Sequence, residues 1–408
     1  MENNNFALQP FTYHKKLRDH FKSRSKTWEW FAQKNIKEEQ IEELKSELLK
    51  NTYRLDENSN EELYSTTKEV CASLAIDTQV TYYQEHNSVQ LNAGIIIVEK
   101  EAHIVFSGGV LSLLSKEELK ALIAHELSHY LFYKIENEEY ENTQRIILAL
   151  ANDSRSENAI IETARIFQLY MELFCDAGAL HVCKDHKVVI RTLVKLNTGL
   201  TQVNADSYLQ QAKEILNRDK ESTLDNSHPE SYIRSVALQL RANQSKTYFE
   251  NVEAMIQGDL DLDSLDIFEQ HDMQNLTHEL LQLVVKPKWM NSSAVVNLCN
   301  QYFNSFYRKP EELKVDNLVE KIERSKPSVK NFLSYVLLDF AKVDEAMEGV
   351  PLGHSLEIAE LLGLKNEFEK IVRKELKLTS RAFKLMQETV LKDLQDIKES
   401  KEDSIYND

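Results

Sequence analysis

Glycine and proline are both scarce in this chain, at 9 and 6 of 408 residues. A sandwich or barrel rich in tight turns needs more of each, so the composition leans towards helix. Cysteine is scarcer still: Cys71, Cys175, Cys183 and Cys299 are the whole set, and none belongs to a C-x-x-C pair. Long apolar runs are missing as well. The longest, "IIIV" and "YVLL", fall far short of the ~20 residues of a membrane span. The opening "MENNNFALQPFTYHKK" carries no apolar signal segment. These absences set the expectation of a cytoplasmic protein with free thiols and no membrane span. Positive charge is also in deficit, with 49 basic residues against 66 acidic ones and a formal net charge of -17. Such a surface repels phosphate backbones and anionic lipid, so no nucleic-acid partner is expected.

Hydrophobic residues make up 42% of the chain, enough for a sizeable core. The length fits two or three domains. "KLRDHFKSRSKTWEWFAQ" and "KEEQIEELKSELLKNTYRL" both place apolar residues at helical spacing, and the polar break "DENSNEE" closes an N-terminal helical segment, 1–57. A helix over Glu61 to Leu74 leads into the only strong strand signals: "TQVTYYQ", which alternates, and "LNAGIIIVEKEAHIVFSGG", which predicts two strands joined by a charged turn at Glu99 to Glu101. Ser115 and Glu118 form a capping box that opens a helix over "KEELKALIAHELSHYLFYK". A second long helix is expected from Ser154, with Glu157 as its capping-box partner. Pro229, in "NSHPESYIRSVALQLRANQ", suits the first turn of a later helix. Helical patterns then continue to a charged, fraying tail, with loops near Gly258 to Asp263, Lys286 to Trp289 and Lys309 to Glu312. No repeat of fixed period is present. The fold class is mainly α with a small β-sheet, as a main domain over 58–245 and an all-helical accessory domain over 246–408.

The segment "AHELSHYLF" carries the chemistry. His125 and His129, four residues apart on a helix, project from one face and can grip one Zn²⁺. Glu126, beside them, can reach a metal-bound water as general base. A catalytic zinc needs a third protein ligand and an open position. Glu172, in "MELFCDAGAL", is the candidate. Asp176, one turn further along the same face, can accept a hydrogen bond from the far nitrogen of a ligand histidine and fix its tautomer.

Three blocks resemble the HtpX / CAAX prenyl protease family of gluzincin metallopeptidases: "FSGGVLSLLSKEELKALIAHELSHYLF", "MELFCDAGAL" and "SHPESYIRSVAL". Together they span roughly Glu61 to Gln244. The resemblance implies a zincin-type domain with one zinc per chain, held by His125, His129 and Glu172. Glu126 is then the general base and Asp176 the partner of a ligand histidine. His228 and Arg234 fall on the family's later motif. There His228, with Arg234, either stabilises the oxyanion or occupies the fourth zinc position. The strand around Leu91 to Ile95 corresponds to the edge on which the family lays an extended substrate. With no membrane span, the expected activity is zinc-dependent endopeptidase cleavage of soluble peptides or unfolded protein.

Two other readings stand beside it. One is a latent protease released when a protein partner engages the C-terminal helices. The other is a non-catalytic adaptor in which zinc staples two helices. "LLDFAKVDEAMEGVPLGHSLEIAELLGL" resembles a TerB-type helical module. Packing accounts better than chemistry for Cys175 (otherwise a thiolate switch), for "TWEWF" (otherwise a ligand box) and for His181, Cys183 and His186 (otherwise a second metal site).

Overall fold

The computed structural model describes residues 8–33, 38–218, 228–308 and 314–400, without side chains for 38–40 and 400. They fall into two compact units, Met1–Gly258 and Asp259–Asp408. The first contains helices α1 (Thr12–Lys22), α2 (Ser25–Ala32), α3 (Glu38–Asn51), α4 (Glu61–Leu74), α5 (Val110–Leu113), α6 (Lys116–Lys134), α7 (Glu139–Ala151) and α8 (Asn158–Cys183). It ends with α9 (His186–Thr198), α10 (Ala205–Arg218), α11 (Ser231–Ala242) and α12 (Tyr248–Ile256). Its strands are β1 (Thr52–Arg54), β2 (Gln79–Glu85), β3 (Asn92–Val98) and β4 (Glu101–Ser107). The chain is therefore mainly helical with one small sheet. Among the described residues, no helix is long and apolar enough to cross a membrane.

The sheet order is β1-β2-β4-β3. β2 and β4 run parallel, while β3 and β4 form a hairpin in which Val98 pairs with Glu101 and Ile95 with Ile104. Period-2 alternation sends Tyr82, Ile104 and Phe106 inward, all fully buried. The Tyr82 and Phe106 rings stack with centroids 5.6 Å apart. Beneath the sheet lies α6. Its start is the expected capping box: Ser115 N–H donates to Glu118 Oε2 at 2.9 Å, and Glu118 N–H to Ser115 Oγ at 3.4 Å. The helix is buried along most of its length. It crosses α8 so closely that a Cβ added at Gly178 would sit 1.9 Å from Ser128 Oγ. Only glycine lets these two backbones approach this far.

The second unit consists of α13 (Ile267–Val284), α14 (Ser293–Tyr302), α15 (Val315–Glu323), α16 (Pro327–Ala341), α17 (Val350–Leu361), α18 (Lys365–Glu375) and α19 (Ser380–Ser400). These helices share a core of their own, around Leu333, Leu337, Ala359 and Phe368. His354 is buried there, its Nε2 3.0 Å from the Val284 carbonyl.

Several local expectations differ from the structure. Thr52–Arg54 reads as the end of a helix but forms β1, because it pairs with β2 through Thr52 and Glu85. The first helical segment breaks at Ser23–Arg24 into α1 and α2. No capping box forms at Ser154; α8 starts at Asn158, with Glu157 as an N-cap residue that makes no side-chain bond. Pro229 precedes the helix instead of opening it, since Glu230 is the N-cap of α11. The expected fraying tail is helical up to Ser400, as the end of α19, and its remainder, 401–408, lies outside the described residues. α12 packs on α11 and α8, and the first compact unit runs to Gly258. The loop expected at Lys309 to Glu312 lies outside the described residues.

Candidate active site

α6 carries His125, Glu126 and His129, α8 carries Glu172 and Asp176, and α11 carries Arg234. All six side chains are buried. His228, just ahead of α11, is exposed on its outer side. The structure thus brings together all seven residues singled out from the sequence.

The helix spacing puts His125 and His129 side by side, with ring centroids 5.2 Å apart. Glu172 approaches both: His125 Nε2 is 3.3 Å from its Oε2, and His129 Nε2 is 3.6 Å from its Oε1. His228 Nε2 comes within 3.6 Å of Oε2 and Arg234 Nη2 within 3.7 Å. Behind His125, Nδ1 lies 3.1 Å from Asp176 Oδ1. Arg234 holds that carboxylate with Nε and Nη2, both at 2.7 Å.

Hydrogen-bond bookkeeping shows what this arrangement fits. In a neutral His125 ring whose Nδ1 proton is directed at Asp176, Nε2 presents a lone pair to the Glu172 carboxylate, so two acceptors face each other unless a proton or a metal cation lies between them. Glu172 Oε2 is buried and has no hydrogen-bond partner despite these close neighbours, which is costly unless a cation joins them. Zinc ligands at about 2.0–2.1 Å in tetrahedral array lie roughly 3.3–3.4 Å apart. The 3.3 Å separation of His125 Nε2 from Glu172 Oε2 equals that edge, and the 3.6 Å separation of His129 Nε2 from the other oxygen, Oε1, is slightly longer. Two imidazoles and a carboxylate are also the donor set that suits a catalytic zinc.

The titration behaviour follows from burial and charge. Burial raises Glu126 to about 7, with Glu172 adding to the effect. Burial lowers His129 to about 4. At His125 burial also pulls downward, but the neighbouring Asp176 and Glu172 carboxylates outweigh it and push the ring up to about 10, so that with no cation between Nε2 and Glu172 the ring itself takes up the positive charge. Asp176 stays low because Arg234 overcomes the burial penalty.

Two cavities flank the cluster, and His125 and Glu126 line both. One, of about 460 Å³, is walled by Leu122 of α6, by Val189, Leu193 and Leu196 of α9, and by Pro229. The other, of about 480 Å³, runs under β3 past Ile97, Tyr133 and Met171. β3 is an edge of the sheet and borders both.

This constellation lies within one matched segment. Residues 57–242 match the model of peptidase family M48. Across 168 residues, 39% of this chain, the sequence is 29% identical to the plastoglobule-localized metallopeptidase 48, chloroplastic, of Arabidopsis thaliana. That alignment covers 48% of the relative, so the chain spans about half the length of the curated protein it matches. No solved structure matches the chain. The matched segment contains α4 to α11 and the strands β2 to β4.

The matched segment also contains features that the sequence does not announce. The wall from α9 was not foreseen, although the apolar periodicity of "KVVIRTLVKL" is a usable signal. Cys175 was read as a packing residue. Its thiol lies within 4.8 Å of ligand-type atoms of His125 and His129. Burial pushes the thiol well above its usual range, keeping it protonated. Arg234 was expected at the oxyanion with His228, yet its guanidinium is committed to Asp176. His181, Cys183 and His186 are not among the metal-capable groups of the described residues.

Proposed function

We propose that this protein is a zinc-dependent endopeptidase of the HtpX / CAAX prenyl protease type, acting in the cytoplasm on soluble peptides or unfolded protein. The observation that carries the reading is the convergence of His125 Nε2, His129 Nε2 and the Glu172 carboxylate, whose buried Oε2 has no hydrogen-bond partner. One Zn²⁺ would be held by these three side chains, where it supplies charge that polarises a carbonyl and makes water acidic. Glu126, lining both cavities, takes the proton from the attacking water and passes it to the leaving amine. His228, at the exposed rim, donates to the oxygen that gains charge at the scissile carbonyl. Asp176, clamped by Arg234, keeps the His125 ring oriented. The free edge of β3 supplies main-chain hydrogen bonds to an extended substrate.

Replacing Glu126 with Gln tests this directly. Zinc content, by metal analysis, should be unchanged, and peptide cleavage should fall by roughly 10²–10⁴-fold. Equal cleavage by the two proteins would sink the proposal and favour an adaptor with a purely structural metal.

One observation favours a second reading. His228 Nε2 stands as near Glu172 as His129 does, both at 3.6 Å. That spacing suits a fourth ligand, hence a latent enzyme opened when a protein partner engages the C-terminal helices.

A further inference from the structure

The free edge of β3 has two faces, and the polar cluster occupies only one of them. Ala93, Ile95 and Ile97 pack towards the core beneath the sheet. Gly94 and Ile96 alternate with them and face the other way. On that outer side stands α3, which packs on β1 and is tied to the hairpin by Lys45 and Glu101 at 2.9 Å. Between α3 and the strands lies a cavity of about 370 Å³, lined by Leu44, Leu48, Gly94, Ile96 and Val105. A Cβ built at Gly94 meets nothing within 4 Å, so the space above the strand is open. Leu44 is 37% exposed at its mouth. Asn92, Gly94 and Ile95 line both this cavity and the catalytic cleft, so the two are continuous across the strand edge.

We infer that the α3–β3 cavity is a second specificity site, which takes large apolar side chains from an extended peptide paired with β3. This rests on the peptidase reading above. A peptide added to a strand must alternate its side chains between the two faces. Positions that face α6 enter the catalytic cavities, and the positions between them point at Leu44, Ile96 and Val105. The substrate class is therefore a segment with apolar residues on both faces, as in the buried strands of an unfolded protein. Glu47 and Glu85 also line the cavity, so a second copy, bringing the same acidic groups, is a poor occupant, and a basic flanking residue suits the site.

The test is a cleavage profile on a peptide library, in which the scissile bond fixes the register. The wild-type protein should favour Leu, Ile or Phe at alternate positions on the outer face. Gly94→Leu, which fills the cavity, should shift those positions towards Ala and Ser by about tenfold or more, the worth of burying one large apolar side chain. The preference at the intervening positions should persist. Leu44→Glu, an α3 change at the mouth, should lower selection for apolar residues at the same positions. Profiles unchanged in both variants, with melting temperatures equal to wild type, would overturn the inference. A binding arm separates this from failure of the peptidase reading. With Glu126→Gln as background, a fluorescent peptide with Leu at every position should bind at least tenfold more weakly when Gly94→Leu is added. A peptide with alternate Leu and Ala should regain most of the loss. Equal affinity of both backgrounds for the all-Leu peptide would remove the site, whether or not any bond is cleaved.

Discussion

Arg234 grips Asp176 through two parallel hydrogen bonds, Nε to Oδ2 and Nη2 to Oδ1, each 2.7 Å long and buried. The fork fixes the carboxylate in two directions at once. Because Asp176 also meets His125 Nδ1, the clamp links α11 to α8 and α8 to α6. A contact between residues 58 positions apart thus orients a third residue far from either in sequence.

Removing one side of this clamp leaves a buried charge uncompensated. Arg234→Met should destabilise the first unit by roughly 3–5 kcal/mol, measured by urea unfolding. Arg234→Met combined with Asp176→Asn should lose less than the sum of the two single changes. Additive losses would show that the two side chains do not act as a pair.

The close crossing of α6 and α8 predicts a second cost. Gly178→Ala would bring Cβ into Ser128 Oγ and to 2.7 Å from its Cβ. Overpacking of this kind costs about 1–3 kcal/mol, and the two helices carrying the polar cluster would be forced apart. Thermal melting should show the loss, and zinc affinity should fall with it. Ser128→Ala should restore only part, because its Cβ remains in the way.

His14 supplies a pH dependence remote from the cluster. Its Nε2 donates to the Phe167 carbonyl at 3.1 Å, and its Nδ1 is buried with no partner. Burial lowers the ring from 6.5 to about 3. Above pH 6.5 both folded and unfolded chains hold it neutral, and its contribution is fully present. As pH falls from 6.5 towards 3, the unfolded chain takes a proton that the folded chain refuses, and stability drops. His14→Gln retains an amide donor and does not titrate. Its loss of stability between pH 7 and 4.5 should be smaller than that of wild type by roughly 2–3 kcal/mol. An identical slope would mean that His14 is protonated in the folded state.

His228 decides between an active and a latent centre. As an oxyanion donor, His228→Ala should lower kcat by roughly 10²–10³-fold with little change in KM. A rise in basal cleavage would instead identify it as the ligand that holds the enzyme shut.

The features legible in the sequence were those set by neighbours along the chain. The Ser115–Glu118 capping box and the His125, His129 spacing are both contained within single helical turns. β1 was illegible for the opposite reason. Thr52 to Arg54 continue a helical pattern, and only pairing with Gln84 and its neighbours on β2 makes them a strand. Arg234 was found by motif, but its grip on Asp176 depends on how α11 docks against α8. The α3–β3 cavity has no sequence signal at all, since it is the space left between a helix and strands distant from it in the chain.

The polar cluster is drawn from three helices spread over positions 125 to 234. A chain emerging from the ribosome presents the two histidines well before Glu172 exists, and Glu172 before Arg234. No partial product carries the assembled centre. Any chemistry that needs the whole cluster therefore arises only once α11 has been made and has docked against α8.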